Sequence, residues 1–303
     1  MENIEYLKKQ ANVITNLYNS KNYSETIKKG KILIKKFPNQ MLFYNATSLA
    51  LDAEGYPEEG LQILYEAFKK APRDIFVLNN IGLIKSKISS DNEAEIYFKK
   101  ALKIKPDFFD ALINYGNFFL KRNKITESRV YLEKAILSSS NSLHKEIVYL
   151  SLGNLYSQTG EFNKAISFFD KILVINPNNT VADKSISLIH KYKDKNDIHL
   201  SQMEAKISNL KNNEDLKRVY FALGKAYEDL DNYEKSFEFI KKANLIQKKL
   251  SKYHIETDIS LFKKIKKIFS EKNLVSLKNF DKKMIFILGM PRSGTTLAEQ
   301  IIS

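Results

Sequence analysis

The sequence contains no cysteine, which excludes a disulfide framework, thiolate metal sites and a cysteine nucleophile. Glycine and proline are scarce, at 10 and 6 of 303 residues, and that scarcity favours helix over a turn-rich sheet protein. Histidine is scarce as well. His144, His190, His199 and His254 show no paired spacing such as i, i+4, so no metal site is expected. Long apolar runs are missing too: the longest, Met284 to Leu288, falls far short of the roughly 20 residues that cross a bilayer. The polar opening MENIEYLKKQ lacks the apolar core of a signal peptide. The expectation is a soluble, cytoplasmic protein without a membrane partner.

What is present points to a folded chain. The hydrophobic fraction of 43% is ample for a buried core. The formal charge of +14 comes from 49 basic and 35 acidic side chains. The lysines are spread along the chain and interleaved with Asn and Ile rather than gathered in a block. They read as a solvated surface, with no nucleic acid partner expected.

Prolines fall at Pro38, Pro72 and Pro106, each 34 residues after the last, and Pro177 rejoins the frame after a three-residue insertion. A period of this length signals a helical repeat array. The unit from Ile75 to Phe108 shows it best. Leu78, Ile81 and Gly82 lie on one face of a first helix, and Ala94, Phe98 and Ala101 lie on a second. Small residues at Gly82 and Ala94 let two antiparallel helices approach closely. Phe98 fills the space between units, and Pro106, lacking an N–H, stops the second helix.

These residues resemble the tetratricopeptide repeat. The frame extends to the unit at Met41, where Ser48 replaces the first small residue, and to those at Phe109 and Glu146. A degenerate first unit covers Leu7 to Gln40. The signature lapses over 180–216 and returns in Lys217 to Leu250 with Leu223, Gly224, Tyr227 and Ala243. The expected fold is all-α: a tetratricopeptide solenoid over 1–250, a right-handed superhelix of about six repeats with an irregular helical pair at 180–216. A connecting helix is expected within 251–282; its stretch from Leu261 to Lys272 is amphipathic and reads as a packed helix with a basic flank. The resemblance implies a protein or peptide partner on the concave face of the array. Asn80 and Asn114 occupy one repeat position on successive first helices. They are candidate contacts to an extended peptide backbone, the alternative being that they satisfy local polar groups.

Residues 283–303 have a different character. Met284 to Leu288 is a strand-length apolar run, Gly289 to Thr296 a loop of small residues, and the chain from Thr295 onward reads as a helix. Strand, loop and helix start form an anion cradle. Gly289 and Gly294 have Walker A spacing, but Thr295 stands where the lysine of an ATP-binding loop belongs. The string Pro291-Arg292-Ser293-Gly294-Thr295-Thr296-Leu297 instead resembles the phosphosulfate loop of sulfotransferases, closest to the protein-tyrosine branch. Array plus loop together resemble the bacterial repeat-containing sulfotransferases, with 283–303 as the start of a P-loop-like α/β domain.

That resemblance implies 3′-phosphoadenosine 5′-phosphosulfate as co-substrate, with no metal, and a hydroxyl acceptor such as protein tyrosine. Pro291, Arg292, Ser293, Gly294, Thr295 and Thr296 would hold the 5′-phosphate, and Arg292 would stabilise charge on the bridging oxygen. The catalytic base and the 3′-phosphate site would lie past Ser303. Two function classes stay open. One is a sulfotransferase of which this chain holds the array and the first loop, favoured by the intact loop string. The other is a non-catalytic protein-binding scaffold.

Overall fold

A computed structural model of the chain describes residues 2–88, 91–251 and 254–271. The chain divides into two compact units, Met1–Gln247 and Lys248–Ser303. Among the described residues it is all-helical, with fifteen α-helices, one short 3-10 turn and no strand.

In the first unit, α1 (Glu2–Asn19) pairs with α2 (Tyr23–Lys36) and α3 (Met41–Ala53) with α4 (Pro57–Lys70). The next hairpins are α5 (Ile75–Lys87) with α6 (Asp91–Ile104), α7 (Phe109–Lys121) with α8 (Ile125–Leu137), and α9 (Ser142–Gln158) with α10 (Phe162–Ile175). Each helix packs on its hairpin partner and then on the following hairpin, the neighbour-only contact scheme of a solenoid. Pro38, Pro72, Pro106 and Pro177 each stand two residues past the last residue of a second helix, where the missing N–H enforces the stop. The turn inside a hairpin repeats as well. Lys21, Gly55, Asn123 and Gly160 all have left-handed backbone, with φ of 59°, 90°, 58° and 77°. Lysine there costs on the order of 1–2 kcal/mol relative to glycine.

In the hairpins from α5 to α10 the interface is a knob against a glycine. Phe98 of α6 sits on Gly82 of α5, and a Cβ added at Gly82 would come within 2.9 Å of its ring. Leu132 likewise faces Gly116, and Phe169 faces Gly153. Phe98 also stacks on Tyr115 of the next hairpin, with ring centroids 5.3 Å apart. It thus joins its own unit to the next. The hairpin of α3 and α4, with Ser48 in place of glycine, compensates on the partner helix. Gly60 lies against Ser48, where an added Cβ would meet the Ser48 carbonyl at 2.9 Å, and the Ser48 hydroxyl is buried without a hydrogen-bond partner.

Residues 180–212 depart from the scheme. The first helix is α11 (Thr180–Ile189), started by Asn179, whose side chain accepts from the Val181 and Ala182 N–H groups. Residues 190–197 leave the helix, and the second helix, α12 (Ile198–Lys206), has only nine residues before a 3-10 turn at Ile207–Asn209. The regular hairpin then returns as α13 (Asn213–Asp229) and α14 (Tyr233–Leu250). α11 packs between α10 and α13 and so keeps the first-helix place.

In the second unit, α15 (Ile255–Glu271) is amphipathic, and its Leu261, Phe262, Ile265 and Ile268 side chains are exposed. The expected strand, loop and helix over 283–303, with Pro291, Arg292, Ser293, Gly294, Thr295 and Thr296, lies outside the described residues.

Candidate functional site: a groove on the first helices

The first helices α1, α3, α5 and α7 stand side by side, and a cavity of about 360 Å³ opens along them. This is the size of a small ligand or side-chain pocket. Met41, Leu42, Ala46 and Leu49 of α3 supply apolar surface, and Phe76 of α5 adds an exposed ring set edge-on to Phe108 at 5.0 Å. Thr15 and Tyr18 of α1 close one end.

A chain of side-chain amides runs between these helices, and its Asn45 and Asn80 line the cavity. Asn114 Nδ2 donates to Asn79 Oδ1 (3.0 Å), Asn79 Nδ2 to Asn80 Oδ1 (3.1 Å), and Asn80 Nδ2 to Asn45 Oδ1 (2.9 Å). Asn45, Asn79 and Asn80 are buried and Asn114 half-buried. Three helices are thereby fastened by one hydrogen-bonded run, a feature that fixes their relative register. The two predicted contact residues are therefore brought into one network. Asn80 lines the cavity, and both use an amide N–H on a neighbouring asparagine. Asn45 and Asn79 complete the run although they sit at a different repeat position. The links at Asn45–Asn80 and Asn79–Asn114 span 35 residues, one more than the repeat. Lys87 to Asp52 and Gln158 to Asn123 keep the same offset. Polar contact between successive hairpins is thus diagonal, and the one-place shift hides it from a position-by-position reading.

Two carboxylates stand at the rim. Asp74 caps α5, its Oδ1 accepting from the Phe76 and Val77 N–H groups at 3.0 and 2.9 Å. Asp110 lies in the first turn of α7. Desolvation pushes its carboxyl above the ordinary carboxylate range, while His144 draws it the other way. No ion pair forms at Asp110 among the described residues, and no lysine or arginine lines the cavity.

A second polar cluster, not foreseen from the sequence, holds the irregular segment. Lys206 Nζ donates to both oxygens of the fully buried Asp183, at 2.8 and 2.7 Å. His199 Nε2 lies 3.3 Å from Asp183 Oδ1, and Tyr192 Oη lies 2.7 Å from His199 Nδ1. Asp229 accepts from Lys225, Lys191 and the Tyr192 N–H. Burial by itself would raise Asp229, but these three donors hold it below the ordinary carboxylate range. Burial pushes the Tyr192 phenol up. Every charged group here is paired, which fits a structural clasp for a helix too short to bury a full apolar face. Among the described residues no His, Cys, Asp or Glu grouping could hold a metal ion.

Comparison with known proteins matches residues 77–108, 147–179 and 217–249 to the tetratricopeptide repeat. The chain is 27% identical over 202 residues to an uncharacterized protein of Aquifex aeolicus, covering 65% of this chain and 26% of that protein. It is 29% identical over 148 residues to the anaphase-promoting complex subunit CDC16 of Saccharomyces cerevisiae, covering 46% and 17%. The chain thus spans about a quarter or less of these relatives. A tetratricopeptide repeat protein from Parabacteroides merdae superposes with a TM-score of 0.53 at 15% identity, covering 84% of this chain and 97% of that one. The APC/C hetero-tetramer Cut9-Hcn1 gives 0.56 at 17%, covering 81% and 47%. This chain carries tetratricopeptide repeats on an all-helical solenoid, and the matched segments end at residue 249.

Proposed function

We propose that the chain is a protein-binding scaffold whose groove on α1, α3, α5 and α7 takes an extended segment of a partner. The observation that carries this reading is the amide run beneath an apolar, open cavity. Within the run Asn79 and Asn80 each use one N–H and the oxygen, Asn45 its oxygen and Asn114 one N–H, and each amide has further donor or acceptor capacity. A peptide backbone can use that capacity, while the cavity walls take its side chains. Relatives in the anaphase-promoting complex are subunits of an assembly, which supports a scaffold rather than a catalyst. Concave surfaces of solenoids suit this use because they present a long, rigid face.

Selection of random dodecapeptides displayed on phage against the full chain tests the reading. Selected peptides are expected to lose about tenfold or more in affinity against Asn80→Ala and Asn114→Ala, with helicity retained by circular dichroism. Unchanged binding to both variants would remove the groove from the account.

A second reading rests on the loop string Pro291 to Thr296, which supports a sulfuryl-transfer function using 3′-phosphoadenosine 5′-phosphosulfate, with Arg292 as the charge-stabilising group. In this reading the array recruits the hydroxyl acceptor. The test is calorimetry on the product of the reading frame including whatever follows Ser303. Adenosine 3′,5′-bisphosphate should bind and Arg292→Ala should weaken it. Binding of ATP with magnesium in its place would end this reading.

A further inference from the structure

The groove has a charge opposite to that of the chain. With 49 basic against 35 acidic side chains, an unselected cavity wall would carry lysine more often than aspartate. This wall carries Asp74 and Asp110 and neither lysine nor arginine. Asp74 has Oδ1 engaged in capping α5, which leaves Oδ2 for a ligand. Asp110 is exposed at the rim, with the His144 imidazole as its nearest charge and no ion pair among the described residues. Two carboxylates on an apolar rim with no lysine or arginine beside them attract a cationic side chain and favour it over an anionic one.

Position within the repeat sharpens the point. Leu42, Phe76 and Asp110 are 34 residues apart in succession, so they hold one place, in the first turn, on α3, α5 and α7. All three line the cavity, and Leu42 and Phe76 are 44% and 51% exposed. Along the groove that place changes from aliphatic to aromatic to acidic. Adjacent packed helices lie about 8–10 Å apart, and an extended chain advances about 3.3 Å per residue. Neighbouring places are therefore about three residues apart on an extended ligand.

Building on the groove reading above, we infer that the partner segment is an extended peptide carrying a lysine or arginine against Asp110 and a large apolar side chain about three residues away against Phe76. A second apolar residue meets Leu42 about three residues further on. The segment is thus apolar at the α3 end and cationic at the α7 end.

The dodecapeptide display against the full chain, run in physiological salt, tests this with two variants. For the native chain we expect enrichment of Lys or Arg about three residues from a large apolar residue. Asp110→Asn should weaken those peptides about tenfold and erase the basic preference, and Asp110→Lys should shift selection at that place to Asp or Glu. Circular dichroism melts confirm that both variants fold. Peptides that are selected and depend on Asn80, yet show the same charge preference in all three proteins, overturn this inference and leave the groove reading standing. Failure to select any peptide overturns both.

Discussion

Gly153→Ala isolates the contact that holds a hairpin together. A Cβ on Gly153 would stand 2.3, 2.7 and 2.7 Å from three carbons of the Phe169 ring, where ordinary contact begins at 3.4 Å. The ring must therefore retreat by about 1 Å. It is 1% exposed and packs with Ile172, Ala182 and Ile186, so little space is open to it. Two effects oppose each other. Alanine gains about 1 kcal/mol over glycine in a helix interior. Overpacking a close contact costs about 1–3 kcal/mol, with the upper end expected where the obstacle is a confined ring. The expected outcome is a net loss of about 1–2 kcal/mol. Urea titration followed by circular dichroism at 222 nm measures it, the chain having no tryptophan for fluorescence. Phe169→Leu creates room at the same spot, so the double variant should be less unstable than the two single losses added, with coupling of about 1 kcal/mol or more. Gly153→Ala at or above native stability, or strict additivity with Phe169→Leu, would refute the knob-and-glycine account.

Lys206→Met should cost about 3–5 kcal/mol, because Asp183 is then buried without its cation; adding Asp183→Asn should recover part of that loss in the same titration. Asp229 has a lowered folded-state pKa, so its stabilisation is complete above the unfolded value of about 3.9 and is lost as pH falls through the folded value. The melting difference between the native chain and Asp229→Asn should be full at pH 7 and close below about pH 4; a constant difference would contradict this. Asp110 is the opposite case, with a raised pKa, so its ionisation works against folding as pH rises. Because Asp110 is exposed, screening leaves only a small effect: Asp110→Asn should raise the melting midpoint at pH 7 slightly, with the gain fading once the unfolded carboxylate is protonated, and a lowered midpoint at pH 7 would mean that the carboxylate has a partner in the fold.

The helical frame was legible because its markers are local and recur: a proline two residues past four of the second helices, and a glycine opposite a large knob. Half of the amide run was legible too, since Asn80 and Asn114 share a repeat place. Asn45 and Asn79 share the place just before it, and their bonding to the other pair was not legible, because the hydrogen bonds step diagonally by 35 residues rather than 34. The acidic rim could have been found by reading Leu42, Phe76 and Asp110 down one column of the repeat. The Asp183 clasp had no such column. Its members belong to the segment where the template fails, and His199 and Lys206 are ordinary surface residues until a nine-residue helix folds them onto a buried carboxylate. The phosphosulfate-like loop from Pro291 lies outside the described residues and stays with the sequence.

Leu42, Phe76 and Asp110 are none of the side chains that face the glycines of the array, and they share their column with none of them. On the proposed groove reading, mutation can therefore rewrite the address that the array reads, one letter per hairpin, while leaving the glycine contacts between its helices in place. A lineage of such chains can acquire new clients at almost no risk to folding.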